Sequence, residues 1–148
     1  MELYLGAGLA IGLAGLGVGV GEWIVARKSL EIMGKNPDMI GTFLVLTILG
    51  IALTESAAIY GLIVAFSILW VDPETVVYSS KMIGAGLAVG LAGAGSGIGE
   101  GMLVAGAMEA ILRNPEIKGK IMTFMILFLA LVESSAIYGL VIAFSLLG

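Results

Sequence analysis

Four long apolar stretches, at roughly residues 4–33, 39–70, 78–112 and 117–147, alternate with short polar breaks along this sequence. A helix crosses a hydrocarbon core of about 30 Å with about 20 residues, so each stretch predicts one transmembrane helix with turns to spare. Strands compete for the first stretch of each pair, where glycine alternates with apolar residues. Two hairpins cannot close a barrel, however, and the second stretch of each pair has no period of two. The expected fold is an all-α membrane protein of four transmembrane helices arranged as two tandem hairpins. The first stretch is too long for a signal peptide and no basic segment precedes it, which predicts a permanent span.

Laid against itself at an offset of 78, the sequence aligns without a gap, and about 32 of 70 paired positions are identical. The expected division is a first hairpin at 1–72, a linker at 73–78 outside the cytoplasm, and a second hairpin at 79–148. Asn36-Pro37 and Asn114-Pro115 break the helices at the two within-hairpin turns. Glu31 with Lys35 and Glu109 with Arg113 are spaced for i, i+4 ion pairs just before them. Arg27, Lys28, Lys35, Arg113, Lys118 and Lys120, six of the seven basic residues, lie at or beside those turns. That bias predicts cytoplasmic turns and extracytoplasmic termini. Glu2, Asp72, Glu74 and Lys81 fall on the other side, with Tyr4, Trp70 and Tyr78 as interfacial aromatics.

Composition agrees with a lipid environment: 59% of residues are hydrophobic, 12% are charged, and the mean hydropathy is +1.12. Soluble surfaces need more charge than this, whereas lipid-facing ones need none. The net charge of −4 is therefore no pointer to a basic partner, and nucleic acid is not expected. Without cysteine or histidine, disulfides, thiolate or imidazole metal sites and Ser-His-Asp catalysis drop out. Gly34-Lys35 and Gly119-Lys120 lack the glycine a phosphate loop requires, and the glycine run before Glu22 fails the dinucleotide fingerprint, so no nucleotide is expected.

Seven glycines between Gly6 and Gly21 recur between Gly84 and Gly99. Each weakens a helix by up to about 1 kcal/mol relative to alanine in water. Gly8, Gly12, Gly15 and Gly19 make one smooth stripe that admits another backbone, with Gly17 and Gly21 expected to widen it. An ordinary two-helix dimer face is the simpler reading; glycine beyond one face favours packing on several sides, as in a crowded ring or bundle.

Glu22, Glu55, Glu100 and Glu133 all fall inside the spans. A charge there costs at least a few kcal/mol, so each carboxyl is expected to be protonated, ion-bound or facing a polar cavity. Counted from the turn, Glu22 and Glu55 differ in depth by about 6 Å, and the tilt of side chains toward each helix's N-terminus narrows the gap. The two carboxyls can share a site, as can Glu100 and Glu133. Ser56 and Tyr60 lie beside Glu55, and Ser134 and Tyr138 beside Glu133. Back-bonding of the serines and packing of the tyrosines are the plain alternatives. Two carboxyls and two hydroxyls per repeat suit a hard cation. Two like charges in low dielectric share a proton, so a monovalent ion plus one proton leaves the site neutral. Na+ is therefore expected over Ca2+ or Mg2+, with H+ as the alternative.

These marks together resemble the rotor-ring component of rotary ATPases, the c or K subunit also called the proteolipid. The resemblance rests on GVGEW and GIGEG, on the KNP and RNP turns, and on TESAAIY and VESSAIY, and covers nearly the whole chain twice. It implies a homo-oligomeric ring in the lipid of the cell membrane, non-catalytic itself and without a cofactor, beside a stator subunit with an arginine and a central stalk. By the same resemblance Glu55 and Glu133 are the ion carboxylates, and Glu22 and Glu100 the inner-helix ligands of sodium-dependent members. Ser56, Ser134, Tyr60 and Tyr138 match further ligand positions, and a carbonyl ligand falls on Leu53 and Leu131. Lys35, Asn36, Pro37, Arg113, Asn114 and Pro115 fall on the stalk-contact turns, which turn formation alone explains as well. Many duplicated V-type members keep only one carboxylate; here both hairpins keep theirs, implying two ions per chain. A hydroxyl that holds a site water in some sodium forms is Ser135 in repeat two but Ala57 in repeat one. Duplication resembles the A/V type, whereas the R-N-P turn resembles the F type.

Two other classes fit less well. A small oligomeric secondary transporter or channel with a midplane carboxylate site would need a gate among few chains, and parallel repeats with glycine stripes favour a ring. A structural membrane protein leaves four buried glutamates unused.

Overall fold

The computed structural model describes residues 2–72 and 80–148. The expected linker, with Glu74 and Tyr78, lies outside the described residues. Helix α1 spans Glu2–Lys35 and leads through a 3-10 turn at Pro37–Met39 into α2, Ile40–Thr54, and α3, Ser56–Leu69. Helix α4, Ser80–Arg113, leads through a 3-10 turn at Pro115–Ile117 into α5, Lys118–Leu147. The two hairpins thus follow the four apolar stretches, and the prolines sit at the first position of each turn, where a missing N–H costs least. Four stretches of 33, 33, 34 and 33 residues are long and apolar enough to cross a membrane. At 1.5 Å per residue each is about 50 Å long, more than the hydrocarbon core requires.

The second helix of repeat one is not continuous, as it is in repeat two. It tightens at Glu55, whose carbonyl accepts from both Ala58 N at 3.0 Å and Ile59 N at 3.2 Å. The two expected i, i+4 pairs form, Lys35 Nζ to Glu31 Oε1 at 2.8 Å and Arg113 to Glu109 at 2.5 Å. Lys28 also reaches Glu109 across the repeats at 3.5 Å. Such exposed pairs add little energy.

Glycine decides how the helices meet. A Cβ on Gly61 would stand 2.6 Å from Ala10 O, and one on Gly139 2.6 Å from Ala88 O. These are equivalent positions at the offset of 78, so both hairpins close by the same contact. Between the hairpins, α1 packs along α4, and here Gly17 and Gly21 do not widen the Gly8–Gly19 stripe. They face the other way, toward Ala94 and Gly97 of α4, whereas a Cβ on Gly8, Gly12, Gly15 or Gly19 would meet nothing within 4 Å. The equivalents of that open stripe, Gly86, Gly90, Gly93 and Gly97, are the residues with which α4 packs on α1. Conversely, the α4 equivalents of the buried α1 face, Leu87, Leu91 and Gly95, are open. Each flank of the molecule therefore repeats one half of its own internal interface.

The core is layered by depth. Large residues such as Phe43, Leu46, Met108, Ile111 and Met125 fill the turn end. Ala7, Ala10, Val64, Ile68, Val89 and Ala143 fill the far end. Between them lies a thin layer of Val18, Ala57 and Ala136, packed against Tyr60. Small side chains at this level leave room for polar groups among the helices.

Candidate ion site

All four glutamates come to that middle layer. Glu22 and Glu55 lie near enough for their charges to interact, and so do Glu100 and Glu133. Each such pair has one carboxyl from the glycine helix and one from its partner in the same repeat. Among the described residues no three acidic side chains converge, so each site brings two carboxyls rather than the denser oxygen charge of a divalent site.

The hydroxyls are arranged differently from the expectation. Tyr60 does not serve the glutamate of its own repeat; its hydroxyl donates to Glu133 Oε1 at 2.5 Å. It also interacts with Ser56. The reason lies in packing: α3 contacts both α4 and α5, so one face of the first hairpin's outer helix is turned toward the second hairpin. The set gathered in the chain is therefore Glu100 and Glu133 from repeat two with Tyr60 and Ser56 from repeat one. The equivalent tyrosine of repeat two, Tyr138, is 67% exposed, and Leu131 beside it is 63% exposed. Glu55 is exposed as well.

Ser56 and Ser134 both bond back to their own helices, donating to Leu53 O at 2.8 Å and Leu131 O at 2.7 Å. That geometry spends the proton and leaves the hydroxyl oxygen's lone pairs, and one on each carbonyl, for a cation. Ser135 donates likewise to Val132 O at 3.0 Å and is exposed, while its repeat-one equivalent Ala57 is buried. At the turns, Lys35, Pro37, Arg113, Asn114 and Pro115 are exposed and Asn36 is half-buried, its amide donating to Ile32 O at 3.1 Å.

Glu100 is the most enclosed of the four carboxyls, 1% exposed. Its Oε1 accepts from Ser96 at 2.6 Å. Its Oε2 is the single buried side-chain oxygen or nitrogen among the described residues that has no hydrogen-bond partner. Leaving a buried carboxyl oxygen without a partner is costly, and such an atom beside a second carboxyl is suited to a proton or a cation. Ser96 was not among the residues expected from the sequence. Its signal there is a serine four residues before Glu100, on the same helix face, where repeat one has Val18.

The profile of the family described as the C subunit of ATP synthase matches residues 5–68 and again 83–146. The chain belongs to this family. Its two matches coincide with the two hairpins and contain all four glutamates. The K subunit of an A-type ATP synthase from Methanocaldococcus jannaschii is 39% identical over 143 residues, which is 97% of this chain and 60% of that protein. The chain thus spans less than two thirds of that relative's length. The chloroplast ATP synthase c subunits of Porphyra purpurea and Cyanidioschyzon merolae are each 53% identical over 74 residues. That is 50% of this chain, and 90% and 91% of those proteins, respectively. Relatives of both kinds therefore align, one with the tandem form and the others with a single hairpin.

The crossing of Tyr60 to the other repeat yields a site-resolved expectation. Tyr60→Phe removes one hydrogen bond to a charged group, worth about 1.5–3 kcal/mol. Any affinity of Glu133 for a cation should fall roughly ten- to a hundredfold, with Glu55 in the same chain much less affected. Ion-dependent protection of each glutamate, read separately by peptide mass spectrometry, checks this; an effect confined to Glu55 would place Tyr60 with its own repeat.

Proposed function

We propose that this chain is the membrane rotor component of a rotary ATP synthase or ATPase, carrying Na+ on Glu55 and Glu133 so that ion passage and rotation are coupled. The observation that carries the reading is Glu100 Oε2, buried and without a protein partner, next to a Glu133 held by Tyr60. Glu22 and Glu100 act as the inner-helix ligands. Hydroxyl oxygens of Ser56 and Ser134 and the carbonyls of Leu53 and Leu131 complete an all-oxygen shell, as a hard monovalent ion requires. Catalysis belongs to partner subunits.

The ring follows from the repeated interface. A second copy whose Gly8–Gly19 stripe seats on Leu87, Leu91 and Gly95 would use the same contact that already joins α1 to α4. Its Glu22 and Glu55 would then meet Ser134 and the exposed Leu131 and Tyr138, as Glu133 meets Tyr60 within one chain. Such a head-to-tail contact closes into a ring when it does not climb, and the bilayer holds every copy at one depth. A small transporter of two or four chains would leave these flanks open. The turns at Asn36-Pro37 and Asn114-Pro115, rich in basic residues, face the cytoplasm and the central stalk, with the termini outside. A stator arginine opens each site in turn.

A carbodiimide attacks protonated carboxyls in apolar surroundings. In the purified ring it should label Glu55 and Glu133, and added Na+ should slow the labelling. Labelling indifferent to Na+ at every pH rejects sodium and leaves the proton as the carried ion.

A further inference from the structure

Within the proposed ion-carrying role, and resting on it, we infer that Ser96 is a positioning residue that makes the two ion sites of one chain unequal, the Glu100–Glu133 site holding Na+ more tightly than the Glu22–Glu55 site. Ser96 is 1% exposed, and its hydroxyl donates to Glu100 Oε1 at 2.6 Å with Val132 O a further 3.4 Å neighbour. The bond anchors one carboxyl oxygen at the α4–α5 contact and leaves the other, Oε2, as the oxygen without a protein donor. The carboxyl is thereby held in one orientation before an ion arrives, so little freedom remains to be lost on binding.

Repeat one has no such device. The residue four before Glu22 is Val18, which is buried like Ser96 but offers no donor. Glu22 is also less enclosed than Glu100, so its carboxyl keeps rotamers that the cation must restrict. The contrast is local, since the surrounding glycines, Gly17, Gly19 and Gly21, recur as Gly95, Gly97 and Gly99. Nearly the same backbone groove therefore presents a fixed carboxyl in one repeat and a freer one in the other.

The test uses the assembled ring and Na+ itself, with carbodiimide labelling of Glu55 and Glu133 read separately by peptide mass spectrometry. In the unaltered ring, half-protection at Glu133 should need roughly ten- to a hundredfold less Na+ than at Glu55, the size of one hydrogen bond to a charged group. Because Ser135 and Ala57 also distinguish the repeats, single variants decide the matter. Ser96→Ala should raise the Na+ needed at Glu133 by that factor and leave Glu55 unmoved, and Ser96→Thr, which keeps the hydroxyl, should restore most of it. Val18→Ser, which places a hydroxyl four residues before Glu22, should lower the Na+ needed at Glu55. A change in ring stability alone would move both glutamates together. If Ser96→Ala shifts both equally or neither, the assignment of Ser96 is overturned while sodium binding stands. If Na+ protects neither glutamate in the unaltered ring, the sodium reading falls and this inference with it.

Discussion

Glu133→Gln is expected to lower ATP-driven Na+ uptake by the whole complex in proteoliposomes by at least about a hundredfold, while the ring still assembles. Glutamine has nearly the same shape and can still accept from Tyr60, so the packing around α3 and α5 survives. What it lacks is charge. A sodium ion would then be balanced by Glu100 alone, the most buried of the four carboxyls. Its ionisation within the bilayer costs at least a few kcal/mol, and each 1.4 kcal/mol is a tenfold loss of occupancy. The defect should also exceed the simple loss of one ion in two. Under the proposed function every chain would bring a permanently neutral position to the stator arginine, and a rotor that must present an ionised carboxylate at each step would stall there. Residual uptake above about a tenth would mean that Glu133 is not a carrier and that its bond to Tyr60 is structural.

Much of this arrangement is legible in the sequence, and the reasons are physical. Span length is dictated by bilayer thickness, so the four apolar stretches locate the helices. A proline cannot continue a helix that has already begun without breaking or kinking it but can start one, so Pro37 and Pro115, each just after Asn between two apolar stretches, locate the turns. The duplication makes the carboxylates legible as a pair in each hairpin, since glutamate is too costly in lipid to recur there by accident. What spacing cannot give is partnership between elements. Spacing within a helix says that Tyr60 lies one turn beyond Ser56, but which glutamate it meets depends on how α3 packs against α4 and α5. The same limit explains Gly17 and Gly21, which belong to the face opposite the stripe they were expected to extend. The helix break at Glu55 leaves no mark either, for TES and VES differ by one residue. Ser96 is legible in principle, as the one hydroxyl that the second glycine helix adds one turn before its glutamate.

Gly15→Leu is expected to abolish the ring without unfolding the chain. A Cβ on Gly15 meets nothing within 4 Å, so the hairpins themselves lose no contact, and leucine is a better helix former than glycine. The cost arises only when a second copy docks its own α4 on the stripe. Glycine there lets two backbones approach closely, and the bulk of a leucine side chain wedges them apart. Overpacking costs about 1–3 kcal/mol where neighbours can yield, and backbone atoms yield less than side chains. The penalty recurs at every chain-to-chain contact of a closed ring, so it accumulates around the circle. The matched variant supplies the contrast: Gly93→Leu lies at the equivalent position of α4, where even a Cβ would stand 3.0 Å from Ala14 Cβ and 3.2 Å from Ala57 O. It should disrupt the contact between hairpins within one chain and lower the yield of folded protein. Native mass measurement in mild detergent reads both outcomes, with single folded chains expected for Gly15→Leu. Intact rings from that variant would show that copies do not meet through this face, and the proposed repetition of the α1–α4 contact would have to be abandoned.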